Sequence, residues 1–209
     1  MYTEIDLQSW SRLATFKHFS AFDLPFFNIC NNVDITPVYQ KCKINGYSIS
    51  LALQYCCLQA ANTVDEFKLR ILDSKVVKYD VIHAGAIVML PDNNIRFCMY
   101  EHTDDFEAFE TKARITQQKV LATRQTEPRS QEQDVIHFSV LPWVSFTSIS
   151  HPRGLNSKME SIPKITLGKF FKSEERILLP ISVEVNHCLM DGYHLGLFNS
   201  ELIKAIDNF

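Results

Sequence analysis

The chain is predicted to be a mixed α and β protein, on three stretches near its C-terminus. From Val135 to Thr147 the even positions Ile136, Phe138, Val140, Pro142, Val144 and Phe146 are all apolar, while His137, Ser139, Ser145 and Thr147 sit between them. A period of two is the mark of a strand with one apolar and one mixed face, and Trp143 on the mixed face implies that this face is not open to solvent. From Ile177 to Val185 the odd positions Ile177, Leu179, Ile181, Val183 and Val185 repeat the pattern. Leu195, Phe198, Leu202, Ile206 and Phe209 then form a helical stripe. Strand and helix periods interleave along the whole chain, which places it among proteins that combine a sheet with helices.

In order, residues 3–7 read as a short strand, and Trp10, Leu13, Phe16 and Phe19 recur every third residue, as on a helix. Thr36-Pro37 is a helix-start signal, a hydroxyl cap followed by proline. Asn45-Gly46 stops that helix, and Ser48 caps a second one whose run from Ile49 to Ala61 is apolar on most sides, hence buried. Residues 67–81 read as a hairpin turning at Asp73-Ser74, and residues 84–90 and 95–100 as strands joined by Pro91-Asp92-Asn93-Asn94. Residues 103–123 are polar and helical. Thr126 to Asp134 is a charged loop, the weakest point for a domain boundary. The strands on either side look like parts of one sheet, so residues 1–209 are read as one domain.

Composition excludes several partner classes. The net charge of −3 and the scattered basic residues argue against nucleic acid and against an anionic membrane surface. No apolar run approaches a membrane span. Six cysteines occur with no CxxC pair, and the opening Met-Tyr-Thr-Glu-Ile-Asp has no secretory character, so reduced thiols in a cytoplasmic protein are expected.

The segment Val185-Asn186-His187-Cys188-Leu189-Met190-Asp191-Gly192 lies between the last strand pattern and the last helix pattern. His187 continues the odd, apolar series. Burial there favours a neutral imidazole, which is what a general base needs at pH 7. Three other readings of the segment stand beside this one. His187 could be a core histidine satisfied by a backbone carbonyl. His187, Asp191 and His194 have the spacing of metal ligands on one helix face, although Gly192 disfavours a helix there, and no metal is expected. Asp191 could simply cap the last helix. Cys188, pointing away from His187 on a strand, reads as an inert thiol.

Asn186-His187-Cys188-Leu189-Met190-Asp191-Gly192-Tyr193-His194 resembles the HHxxxDG-type motif of the chloramphenicol acetyltransferase family, and Pro142-Trp143-Val144-Ser145-Phe146-Thr147-Ser148 resembles its PWVxFxS strand. Ile165-Thr166-Leu167-Gly168-Lys169-Phe170, Leu178 to Val183, Trp10-Ser11-Arg12 with Phe16, and Val33-Asp34-Ile35-Thr36 fit in the same order, so the resemblance covers essentially the whole chain. It implies a two-layer α/β sandwich and a homotrimer with active sites at subunit interfaces. The implied activity is direct acetyl transfer from acetyl-CoA, a cosubstrate, to a hydroxyl of chloramphenicol or another small acceptor, with no permanently bound cofactor.

By the same resemblance His187 is the base, Ser139 the oxyanion donor, and Asp191 a brace paired with Arg12. Thr166 holds a water, Phe19 is a pocket aromatic, and Lys169 lies toward coenzyme A. Two departures stand out. Asn186 replaces the first histidine of the motif, and His151 falls where the family has an apolar residue contacting the drug. The stretch from Ala84 to Phe106, which should line the acceptor site, aligns poorly. Transfer to a different hydroxylated acceptor, and a non-catalytic small-molecule-binding member of the fold, are the competing readings.

Overall fold

The computed structural model describes residues 1–126, 133–154 and 159–209. Its elements in chain order are β1 (Tyr2–Glu4), α1 (Leu13–Phe19), β2 (Phe26–Asp34), α2 (Thr36–Asn45), α3 (Ile49–Thr63), β3 (Leu69–Leu72), β4 (Lys75–Tyr79), β5 (His83–Met89), β6 (Ile95–Tyr100), α4 (Phe106–Thr123), β7 (Val135–Val140), β8 (Lys164–Leu167), β9 (Phe171–Ser173), β10 (Arg176–Asn186) and α5 (Gly192–Asp207). A seven-stranded mixed sheet runs in the order β2-β10-β8-β7-β5-β6, with β9 paired to β10. The β5–β7 and β7–β8 pairs are parallel and the others antiparallel. A small sheet, β1-β4-β3, stands apart from it.

One face of the large sheet carries Ala84, Ala86, Ile136, Phe138, Ile165, Leu167, Ile181, Val183 and Val185, which join the main core with Leu51, Leu58, Phe109, Phe198 and Leu202 of the helices. This is the predicted layer of helices on a mixed sheet. A second apolar cluster joins Phe16 of α1, Leu69, Ile71 and Val76 of the small sheet, and Cys188 and Leu189. Two consecutive residues after β10 are thus anchored in this second cluster.

Local signals account for most boundaries. Asp73 and Ser74, at φ 47° and 66°, form the two-residue turn between Leu72 and Lys75, the left-handed pair that suits the twist of a hairpin. Gly46 ends α2 at φ 73°. Ser48 and Asp105 cap α3 and α4 through bonds from Leu51 and Ala108 N–H. The part of the expected hairpin before β3 is a 3-10 turn, Asp65–Lys68.

Three expectations are corrected. Thr36 does not cap α2: its hydroxyl donates to Asp34 Oδ1 at 2.6 Å and accepts from Ile177 N–H at 2.8 Å, so it ties α2 to β10 instead. The strand expected to run to Thr147 stops at Val140, because the β8 ladder ends there and Pro142 has no N–H to extend it. Trp143, past that end, is 60% exposed in the single chain rather than covered. The sequence reading also had no strand at β2, an asparagine-rich strand paired only with β10. Most of the charged loop from Thr126 to Asp134 lies outside the described residues.

Arg70 on β3 is fully buried. It donates to the carbonyls of Phe67, Leu69, Gln133 and Val135 at 2.6–2.8 Å. It thereby joins the small sheet to the start of β7. Burial pushes its pKa down to about 9. Replacing Arg70 with methionine strands several buried acceptors, each costing about 1–3 kcal/mol when unpaired. A loss of about 3 kcal/mol or more in urea denaturation is expected, with little change in the slope.

Candidate active site

β10 delivers its last residues into a tight turn. Leu189 and Met190 N–H both bond to Asn186 O, and His187 N–H donates to Pro25 O at 2.7 Å. Asn186 shapes the turn: its side chain accepts from Cys188 N–H and donates to Glu160 O, each at 2.9 Å. With Cys188 and Leu189 fully buried, His187 is held half-buried at the turn's start. Its ring stacks on Phe19, centroids 3.7 Å apart and planes 10° from parallel, and leans on Phe27 at 4.5 Å. Nδ1 is buried with no hydrogen-bond partner among the described residues, which leaves Nε2 as the nitrogen an incoming molecule can reach.

Asp191 follows as the N-cap of α5, accepting from Tyr193 N–H at 3.1 Å. Arg12 Nη1, just before α1, lies 2.9 Å from Asp191 Oδ2. Burial raises the Asp191 pKa, but the Arg12 bond and the nearby His194 more than offset this and hold it below the usual carboxylate range. His194 extends the brace. Its Nδ1 accepts from Asp191 N–H at 3.1 Å, and its Nε2 faces Glu66 Oε1 at 3.4 Å. Glu66 carries no sequence signal for this contact. α5 begins at Gly192, so His187 shares no helix face with Asp191 and His194.

The remaining residues lie elsewhere. Ser139 of β7 is half-buried on the sheet face opposite the helices and lines a cleft of about 770 Å³ that does not include His187. Register sets the separation: Ser139 pairs with Thr166, Thr166 with Ser182, and His187 is five residues beyond. Two strand spacings and five residues of rise put the two Cα atoms roughly 19 Å apart. His187 rests on Phe27, whose partner Val185 belongs to the helix-covered face, so the two side chains also serve opposite faces. Thr166 is fully buried, its hydroxyl 3.2 Å from His151 Nε2. Lys169 is exposed after β8, with its N–H bonded to Val144 O.

His151 and its neighbours form a polar cluster that the sequence reading did not assemble. His151 Nδ1 faces Glu184 Oε2 at 3.5 Å, and Arg153 pairs with both Glu184 and Glu160. Glu160 Oε1 also meets Lys164 at 3.0 Å. Burial raises Glu184, but the His151 and Arg153 contacts hold it below the ordinary glutamate value. The unusual histidine at 151 was the sequence feature that pointed here.

A family profile described as "Chloramphenicol acetyltransferase" matches residues 1–203. The chain is similar to the chloramphenicol acetyltransferase of Clostridium perfringens, 27% identical over 98% of this chain and 94% of that one. It is similar to that of Escherichia coli at 26%, over 100% and 95%. A solved chloramphenicol acetyltransferase superposes with a TM-score of 0.87 at 27% identity, covering 99% of this chain and 100% of the other. The dihydrolipoamide acetyltransferase of Azotobacter vinelandii, 18% identical, shares the fold with a TM-score of 0.69 over 92% and 86%. The chain belongs to the chloramphenicol acetyltransferase family, a family of acyltransferases.

Proposed function

We propose that the chain is an acetyl-CoA-dependent O-acetyltransferase, and that each active site takes His187 from one copy and Ser139 from another. The observation that carries this is their separation: roughly 19 Å and a sheet lie between them in one chain. A second copy is the simplest source of the missing half, which fits a homotrimer with interfacial sites. His187 Nε2 takes the proton of the acceptor hydroxyl as its oxygen attacks the thioester carbonyl. Such proton transfer is typically worth about 10²–10⁴-fold.

The Ser139 hydroxyl donates to the tetrahedral oxyanion. Collapse expels the thiolate of coenzyme A, which recovers the proton from the imidazolium. No side chain carries the acetyl group, and no metal takes part. Phe19 holds the imidazole plane, and Arg12, Asp191 and His194 brace the turn that presents it. Thr166 is assigned to hold a water near the reaction centre, and Lys169, exposed after β8, to lie toward coenzyme A; the hydroxyl of Thr166 near His151 and the exposure of Lys169 support these roles. Chloramphenicol is the first acceptor to test.

Residues 1–209 act as one domain in this reading, because Met190 and Leu189, adjacent in sequence, feed the two apolar clusters. Six free thiols, five of them buried, suit a reducing cytoplasm.

His187→Ala is expected to abolish thiol release from acetyl-CoA with chloramphenicol or any other acceptor and to leave the assembly size unchanged. Retained turnover would sink the assignment. Ser139→Ala should lower kcat by about 10²–10³-fold. Co-expressing the two dead variants should restore part of the activity, since mixed assemblies contain sites with both groups intact; no restoration means the site is not shared. Asp191 gives a pH signature. Its folded pKa is depressed, so its stabilisation is complete above 3.8 and is lost as pH falls through the lower folded value. Asp191→Asn should therefore narrow the gap between urea midpoints measured at pH 7 and pH 3.

A further inference from the structure

The cleft at Ser139 has one wall whose charges are already matched. Lys164 and Glu160, which line it, pair with each other, and Arg153 behind them pairs with both Glu160 and Glu184. A charged acceptor would gain nothing there without breaking a pair. His137 is different. It lies two residues before Ser139 on the same face of β7, is open to the cleft, and bonds through its side chain to no described residue. The packing around the ring and the charge of Lys164 both favour its neutral form, which offers one donor and one acceptor nitrogen.

Its berth is built on the neighbouring strand. A Cβ at Gly85 of β5 would lie 3.0 Å from His137 Cδ2, tight enough that the ring would have to give by a few tenths of an ångström. Apolar surface from Ile87, Phe97 and Ile162 completes the cleft.

We propose that His137 determines acceptor specificity by hydrogen-bonding an uncharged polar group that the acceptor carries roughly 7 Å, the rise of two strand residues, from its reacting oxygen, which meets the thioester carbonyl beside Ser139. The acceptor class is a neutral alcohol with an apolar body and a distal amide, carbonyl or second hydroxyl. This rests on the reading of the Ser139 cleft as the acceptor half of an O-acetyltransferase site.

The test compares 4-(hydroxymethyl)benzamide with 4-isopropylbenzyl alcohol, alike in shape but only the first able to hydrogen-bond across the ring. Chloramphenicol is run alongside, and thiol release from acetyl-CoA is the readout. Wild type should favour the amide in kcat/KM. His137→Leu should cut that ratio by roughly three- to tenfold, the usual worth of one neutral hydrogen bond, mainly through the KM of the amide. His137→Asn should keep part of the ratio. Gly85→Ala, which pushes the ring by a few tenths of an ångström, should lower the ratio in the same direction but by less than His137→Leu, and it stands in if that variant does not fold.

An equal ratio in wild type and the variants overturns the inference, as does turnover of chloramphenicol with neither benzyl alcohol accepted. If His187→Ala stops transfer while the ratio stays fixed, the role of His137 alone falls. If no acceptor is acetylated by the wild type, the O-acetyltransferase reading falls and takes this inference with it.

Discussion

Both edges of β10 are occupied, and much of the structure follows from that. β2 pairs with it along nine residues on one side, and β8 and β9 share the other. A strand held this way cannot slip by one position without exchanging its faces. The exchange would put Ser182, Glu184 and Asn186 into the helix core and Ile181, Val183 and Val185 against the polar cluster. Two cores of opposite character therefore specify one register. That register decides where the strand ends, and so where His187 begins its turn.

The turn is held from three directions by different forces. Apolar burial takes Cys188 and Leu189 into the cluster beneath α1. Hydrogen bonds from Asn186 close the backbone. A charge pair, Arg12 with Asp191, ties the far side to the N-terminal segment, with side chains 15% and 34% exposed. A pair this well shielded adds less to stability than to geometry, because desolvation consumes much of its Coulombic gain. Its worth lies in limiting how α1, which carries Phe19, can move against the imidazole.

The strands β3 to β7 and β10 and helices α2 to α5 were legible because their patterns are clear or their punctuation is strong: Asp73-Ser74, Asn45-Gly46, Ser48. β2 was not, since Asn28, Asn31 and Asn32 break its alternation and its identity comes from pairing with β10 rather than from its own residues. Of the site, the Arg12 and Asp191 contact spans almost the entire chain and was reachable only through family resemblance, as was the choice of Ser139. The contact of His194 with Glu66, and the cluster of His151, Arg153, Glu160 and Glu184, depend on tertiary packing that no spacing encodes. His137 was visible as a residue of a mixed strand face, but its neutral, unpaired state came from the cleft around it.

The approach of Gly85 to His137 has a further consequence for how this cleft can vary. Where a ring on one strand crowds the space that a side chain on the next would use, the two positions are coupled under mutation. A methyl group gained at 85 pushes the ring at 137 by a few tenths of an ångström and needs no such shift once the ring is gone, so their effects are non-additive. Acceptor preference across this part of the sheet then depends on both positions together. Single-site drift on either strand is constrained by the residue opposite.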